Sequence, residues 1–382
     1  MAIVFTTSLD GLKLIQAYNN NVVRFTSDTV GKVIKKAEIS SVDFFSVIYP
    51  NPAGMFYFNF KDYFSAAVNT KNFTDDVDYQ LDINDPTTIR YNVNDGHFIK
   101  YDVSFKIIFE DNSFEVFSNL TYDVLAAVTN LQSFKNDSIS TDQYSFCILV
   151  PALDRSLVTN LKVWKGYPFE FTYYSRDIED EISIYNSTNV TSFSYIQESE
   201  LTSLVLTDGQ NEFPFVGLKS GWNLFNFEVA GNPVANVLQV LFEEEQCGIY
   251  VKFLNRFGRW TYWLFSKKYF ETRSTKYMGE IENDFNNIQD TISPTLQIGK
   301  ISDGTLKVAA KSITPDFAIL LEDIFDSPKI MIFNGVPGEV STYKNWYETR
   351  LKTSSFQLVS PNKQMKNYYL EFDQPLRNTI TL

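Results

Sequence analysis

Hydrophobic and polar residues alternate along much of the chain, which is the pattern of β-strands with one buried face. The densest example is the segment Gly248–Phe270, GIYVKFLNRFGRWTYWLFSKKYF. Every second residue from Ile249 to Phe253 is apolar, and Asn255 to Gly258 read as a turn, because glycine adopts positive φ without steric cost. Arg259 to Phe265 then resume an extended pattern rich in aromatic residues. The segment predicts a β-hairpin.

The second strand of this hairpin is apolar on both faces. Trp260, Tyr262 and Leu264 project to one face, whereas Trp263 and Phe265 project to the other. A strand with one solvated face does not show this pattern, so we expect two covers, the strand's own core and a second domain or another subunit. The predicted interface residues are Phe257, Trp260, Tyr262, Trp263 and Phe265.

A second hairpin is predicted in the first third of the chain. Alternate apolar residues from Tyr101 to Phe109 share one face, Glu110 to Ser113 form the turn, and Phe114 and Val116 continue on the returning strand. This pattern predicts a hairpin with one buried face. Residues 119–134 suit either a helix or a strand.

One helix is predicted, at residues 315–326. Thr314 can cap it, Pro315 suits the first helical position, and Asp316 favours the positive end of the helix dipole. The apolar stripe of this helix consists of Phe317, Leu320, Leu321 and Ile324.

The length of 382 residues leaves room for two or three cores. Aromatic residues make up 16% of the chain, and together with frequent Thr, Val and Ile they favour sheet over helix. The predicted fold class is mainly β, with two to three tandem β-sandwich domains of immunoglobulin-like type and one or two short helices. We predict domain limits at residues 1–155, 156–255 and 256–382, the last domain carrying the helix.

The chain is acidic, with a formal net charge of −13. Binding to nucleic acid needs a clustered basic surface that releases counterions from phosphates, and the sequence contains no such run. We therefore predict no specific nucleic-acid binding. If the chain lined a lumen, its negative wall would repel DNA and let the duplex slide, so a passive acidic lumen for DNA is a hypothesis.

The cysteine content and the lengths of the apolar runs bear on metal binding and membrane association. Two cysteines, Cys147 and Cys247, provide neither a disulfide framework nor a cysteine-based metal site. No signal-peptide pattern is recognised, and no apolar stretch approaches the roughly 18 residues of a membrane helix. We expect no membrane partner.

Recognisable catalytic motifs are missing from the sequence. His97 is the single histidine and lies beside a turn, so it is expected to be a solvated turn residue. Neither a nucleophile elbow, a Walker loop nor a dinucleotide fingerprint occurs. The acidic segments TDDVD (74–78) and DINDP (82–86) lack the spacing of a calcium loop. We predict no catalytic residue, no metal and no cofactor.

Three stretches of the sequence carry a resemblance to a known group. They are YPNPAGMFYFNFKDYF near the start, YVKFLNRFGRWTYWLF in the middle, and SPKIMIF followed by a Trp346-containing strand and YYLEF. In these loose aromatic and turn patterns the chain resembles structural proteins of tailed bacteriophages, particularly the crAss-like phages of gut Bacteroidetes. The resemblance implies β-sandwich domains that assemble as neck, tail-ring or tail-associated subunits, with no catalytic residues.

Two functional hypotheses of different classes follow. The first is a virion structural subunit of the neck or tail, made in the host cytoplasm, which forms a ring or collar as a homo-oligomer with other virion proteins as partners. The alternative is a carbohydrate-binding adhesion or receptor-recognition protein in which exposed Trp and Tyr stack on glycans. A glycan hydrolase using two carboxylates comes third, because a sequence does not reveal their separation.

Overall fold

Six β-sheets and two helices make up the part of the chain that the structure describes. A computed structural model describes residues 3–11, 13–69, 81–93, 96–128, 138–139, 146–152, 157–210, 213–244, 247–266, 269–282, 295–353 and 365–375. Strands and helices are numbered in chain order. The segment TDDVD (74–78) and part of the ambiguous segment 119–134 lie outside the described residues.

Two sheets and a helix share one core in the N-terminal third, here called the first sandwich. The smaller sheet has the order β1 (Ile3–Thr7), β3 (Val22–Ser27), β6 (Phe56–Asn59). The larger has the order β10 (Ser138–Ile139), β2 (Leu14–Gln16), β9 (Phe114–Leu125), β8 (Phe98–Phe109), β4 (Ile34–Ser40), β5 (Phe45–Ile48). Phe25 of one sheet lies 5.1 Å from Phe105 of the other, and Phe64 of α1 (Lys61–Asn69) lies 5.3 Å from Tyr101.

The hairpin of β8 and β9 has its turn at residues 110–113, as predicted, and buries alternate residues from Tyr101 to Phe109. Phe114 and Val116, however, are exposed on the opposite face. The register pairs them with Ile108 and Lys106, which alternate with the buried positions of β8. The prediction of one buried face is correct, but these two residues do not belong to it.

Two larger sheets form the middle sandwich. One has the order β11 (Phe146–Ile148), β13 (Pro168–Ser175), β16 (Leu201–Asp208), β7 (Arg90–Asn92). The other has the order β12 (Val158–Trp164), β18 (Asn232–Glu243), β17 (Gly221–Val229), β14 (Glu181–Asn186), β15 (Thr191–Ile196). Phe146 lies 5.3 Å from Phe227 across the core, and the hydroxyls of Tyr173 and Tyr195 are 2.8 Å apart.

The C-terminal layers consist of two further sheets. One has the order β20 (Trp260–Ser266), β19 (Gly248–Leu254), β23 (Ile330–Phe333), β24 (Trp346–Thr349). The other has the order β21 (Phe270–Glu282), β22 (Thr295–Ile313), β25 (Lys366–Asp373). Their buried side chains belong to the same hydrophobic cluster as those of the middle sandwich, so the core runs without a break between them.

The predicted helix is present as α2 (Pro315–Glu322), followed by a 3₁₀ turn at Asp323–Phe325. Its apolar stripe is buried. Thr314 occupies the capping position with extended backbone, but its hydroxyl makes no capping hydrogen bond. Its carbonyl instead accepts from the amide of Ala318, at 2.9 Å.

The mainly β fold class, with stacked sheets and short helices, is confirmed. Segment 119–134 is strand as far as Leu125. Two strands that precede residue 156, β7 and β11, pair within the middle sandwich. The position predicted as the 255/256 limit lies in the turn between β19 and β20. The domain limits themselves stay predictions.

Candidate functional site: an aromatic junction and an exposed arm

The turn at Asn255–Gly258 is built by side-chain and backbone hydrogen bonds. Asn255 Oδ1 accepts from the amides of Phe257 and Arg259, and Gly258 has φ +66°. The turn lies against the first sandwich, because the amide of Val128 donates to the carbonyl of Arg256 at 2.8 Å. A Cβ on Gly258 would approach the carbonyl oxygen of Ala126 to 2.6 Å. Glycine is therefore required both for the turn and for this contact.

Strand β20 is covered on both faces by other parts of the same chain. On one face, Tyr262 has its ring 5.2 Å from Phe169 and 6.2 Å from Trp346. On the other, Trp263 has its ring 5.3 Å from Trp164 and 6.1 Å from Phe317. Sheets of the middle sandwich and helix α2 thus supply the two covers that the sequence pattern required.

The five sequence-predicted interface residues lie together along this junction. Tyr262, Trp263 and Phe265 are buried, and Phe257 and Trp260 are half-buried. Phe257 packs against a separate small cluster beside the first sandwich, whereas the other four belong to the main core. The structure places all five at contacts within one chain, and a role toward another subunit stays a prediction.

A buried cation completes the junction. Lys252 on β19 has its Nζ 4.6 Å from the ring centre of Trp260 and 4.5 Å from that of Trp346. Two aromatic faces thus stabilise a charge that burial alone would disfavour. This arrangement adds a polar link between β20 and β24.

A cavity of about 490 Å³ lies where the first sandwich meets the C-terminal layers. Its lining includes His97, Arg256, Asp323 and Lys329. Asp323 accepts from the backbone amide of Arg256 at 2.8 Å and from its guanidinium at 2.6 Å. Burial raises the pKa of Asp323, and the hydrogen bonds and charge of Arg256 oppose that shift.

His97 is half-buried on the wall of this cavity, with Nδ1 3.5 Å from the carbonyl of Gly258. The sequence predicted a solvated turn histidine, and packing of the 255–258 turn against it accounts for the difference. Among the described residues, no three His, Cys, Asp or Glu side chains group in a way that could hold a metal. In the segment 82–86, the Asp85 carboxylate accepts a hydrogen bond from the amide of Thr87 at the start of a 3₁₀ turn. This carboxylate therefore caps its own segment.

The structure also shows an element that the sequence analysis missed. Strand β21 pairs with β22 over its length, whereas β25 covers β22 from Thr305 onward. Residues 273–282 and 295–304 therefore form a two-stranded ribbon, here called the arm. Ten residues at about 3.3 Å each make it about 33 Å long.

The arm exposes apolar side chains on both of its faces. Next to the body, Tyr277 pairs with Lys300 and Lys276 pairs with Ile301, so Tyr277 and Ile301 project to opposite faces. The register shifts on both sides of Gly279, so residue alternation does not carry a single face through the whole arm. Beyond these shifts, Ile281 pairs directly with Leu296, and the two share a face.

Tyr277, Ile281, Leu296 and Ile301 are called the exposed apolar residues of the arm. Tyr277 is 69% exposed, Ile281 57%, Leu296 53% and Ile301 46%. Glycine and polar residues separate them along both strands, so no simple alternation marks the arm in the sequence.

The five tryptophans offer little exposed surface. Trp164 and Trp263 are buried, and Trp260 and Trp346 are half-buried. Trp222 is 52% exposed, but its ring is stacked on Phe317 at 6.1 Å and 9°. Within the described residues, no helix has the length and apolar character needed to cross a membrane.

No protein-family model and no curated protein matches the chain. Solved structures with some similarity include fibronectin(III)-like modules of Clostridium thermocellum CbhA (8% identity, 63% of this chain and 94% of that chain, TM-score 0.20). The I9–I11 tandem from titin is 5% identical over 64% of this chain and 67% of that one, with a TM-score of 0.18. A 1.5-MDa bacterial ice-binding adhesin is 10% identical over 82% and 94%, with a TM-score of 0.19. Structural similarity with TM-scores this low carries no argument about function.

Proposed function

We propose that the chain is a structural subunit that acts through protein–protein interfaces, and that the arm is its main binding element. The observation that carries this proposal is the group of exposed apolar residues of the arm, which lie on a two-stranded ribbon without a third strand to cover them. Exposed apolar side chains grouped on one element mark a surface for protein–protein contact. In the proposed assembly a partner covers them.

Energetics support a partner for the arm. An isolated two-stranded hairpin is at best marginally stable in water, and here about ten residue pairs extend beyond the third strand. Fully burying one large apolar side chain contributes about 1.5–3 kcal/mol. Covering four side chains that are about half-exposed would therefore contribute roughly 3–6 kcal/mol, enough to hold the arm in one conformation.

The finer part of the proposal is that this subunit belongs to the neck or tail of a bacteriophage virion. The sequence resemblance supports this assignment, and a projecting arm suits a ring or collar in which each subunit reaches its neighbour. The glycan-binding alternative gains less support, because the tryptophan with the largest exposure, Trp222, already stacks on Phe317.

The proposal is tested by site-specific photo-crosslinking. A benzophenone amino acid replaces Tyr277 in one variant and Tyr49 in a control, since the two side chains are 69% and 74% exposed. Each variant is produced together with the structural proteins of the same virus. We expect Tyr277 to crosslink to one defined structural protein, either a second copy or another virion component, and Tyr49 to give no such product. Equal, diffuse crosslinking at both positions would refute the binding role of the arm.

A further inference from the structure

Next to the body, the two faces of the arm each carry one exposed apolar side chain. Tyr277 shares its face with Lys300, whose Nζ lies 5.9 Å from the centre of the tyrosine ring. Ile301 lies opposite Lys276 and therefore projects from the other face. Tyr277 is 69% exposed and Ile301 46%. A partner that covered only one face would leave one of these two side chains in water.

The far end of the arm has one apolar face and one acidic face. Ile281 lies directly opposite Leu296. Glu280 and Glu282 flank Ile281 without a register shift, so both carboxylates project from the opposite face. All four side chains are exposed. The sequence from Glu280 to Gly299 contains no basic residue, so this end of the arm is negatively charged.

The cost of covering the acidic face determines the charge of the partner. A carboxylate that is removed from water without a counter-charge costs several kcal/mol. A surface that covers Glu280 and Glu282 must therefore supply Lys or Arg side chains, which form charge-assisted hydrogen bonds with carboxylates. The surface that covers Ile281 and Leu296 must be apolar. Together these requirements describe a cleft with one basic wall and one apolar wall.

The charge of the chain points to a partner other than a second copy. Its formal net charge of −13 makes two copies repel one another. The cavity beside His97 offers no basic wall, because Arg256 is paired with Asp323 and Lys329 lies 3.9 Å from Glu348. A different protein with a basic surface is therefore the better match for the acidic end of the arm.

We infer that the arm inserts into a cleft of a different protein of the same assembly. One wall of this cleft is apolar and packs on Ile281 and Leu296, and the other is basic and pairs with Glu280 and Glu282. Closer to the body, the two walls cover opposite faces of the arm. This inference rests on the proposed function, because it states which kind of partner the arm binds.

The first test places a photo-crosslinker on each face. A benzophenone amino acid replaces Tyr277 in one variant and Ile301 in another, and each variant is produced together with the structural proteins of the same virus. We expect both positions to crosslink to the same protein, and that protein to differ from this chain. Crosslinking from Tyr277 alone, or to a second copy of this chain, would overturn the inference and leave the proposed function standing. The absence of a defined product from Tyr277 would remove both.

The second test reverses the charge at the far end of the arm. Glu280→Lys and Glu282→Lys are combined in one variant, and the yield of the crosslink from position 277 is measured. Asp177→Lys with Glu244→Lys is the matched control, because both positions are exposed outside the arm and the net charge changes equally. We expect the yield to fall at least about tenfold in the arm variant and less than about twofold in the control. Far-ultraviolet circular dichroism should be the same for both, which separates loss of binding from loss of folding. Equal yields from the two variants would overturn the inference.

Discussion

Replacing Trp263 with alanine tests the packing of the middle sandwich and helix α2 against one face of β20. The side chain is 2% exposed and lies between Trp164 of the middle sandwich and Phe317 of α2. Removing it opens a cavity at the point where the middle sandwich meets the C-terminal layers. The loss should therefore appear as reduced stability of the main core.

The structure sets the expected magnitude. Truncating a buried Trp to Ala typically destabilises a protein by about 3–5 kcal/mol. The indole Nε1 of Trp263 is buried without a hydrogen-bond partner among the described residues, and an unsatisfied buried group costs roughly 1–3 kcal/mol. Its removal offsets part of the loss, so Trp263→Ala should lower the free energy of unfolding by about 2 kcal/mol. Trp263→Phe, which keeps a ring and removes the N–H, should change it by less than about 1 kcal/mol.

The assay is urea unfolding followed by far-ultraviolet circular dichroism, with midpoints compared at equal slopes. Trp222→Ala is the matched control, because it makes the same chemical change at a half-exposed site and should cost about 1 kcal/mol or less. If Trp263→Phe were as damaging as Trp263→Ala, the assignment of a purely packing role to this indole would be refuted. Equal losses for Trp263→Ala and Trp222→Ala would refute the tight cover on the Trp263 face of β20.

Three further predictions concern the turn, the buried ion pair and the tyrosines. Gly258→Ala should destabilise the chain by on the order of 2 kcal/mol or more, because the residue has positive φ and its new Cβ would lie 2.6 Å from a carbonyl oxygen. Gly31 also has positive φ but lies in open space, so Gly31→Ala should cost about 1 kcal/mol. Equal urea midpoints for the two variants would contradict this reasoning. Asp323→Asn should cost about 2–3 kcal/mol at neutral pH, because it leaves the partly buried guanidinium of Arg256 without its carboxylate. An unchanged urea midpoint at neutral pH would contradict this reasoning. Burial raises the pKa of Tyr173 to about 12, so the folded state holds this proton more tightly than the unfolded state. The stability present below about pH 10 should therefore be lost as the pH rises toward 12. Tyr173→Phe should reduce this loss in urea midpoints measured across the same pH range, and an equally steep loss in the variant would count against the prediction.

Local patterns were enough to predict the junction. Aromatic residues at consecutive positions of β20 break the alternation of a strand with one solvated face, so burial on both faces followed directly from Tyr262, Trp263 and Phe265. Helix α2 was equally accessible, because proline, acid and apolar stripe all occur within one short segment.

Features that depend on pairing between distant segments were not accessible from the sequence. Phe114 and Val116 look like core residues, but the four-residue turn before them sets a register that turns both outward. Strand β7 joins the middle sandwich by pairing with β16, where Asn92 lies opposite Thr202, and no local pattern encodes a contact between segments so far apart. The cavity beside His97 likewise exists only because the 255–258 turn contacts the first sandwich.

The arm escaped notice for a related reason. Its strands carry Thr, Ser, Lys and Glu between the apolar positions, and nothing in their composition distinguishes a ribbon in solvent from an ordinary hairpin. The informative fact is where the third strand stops, at Thr305 on β22, and this is a property of tertiary pairing.

Photo-crosslinking from the arm tests the central claim most directly. A benzophenone amino acid at Tyr277, which is 69% exposed, is compared with one at Tyr49, which is 74% exposed and lies outside the arm. The account predicts one defined crosslinked product from position 277 and no such product from position 49. Equal, diffuse crosslinking at the two positions would contradict it.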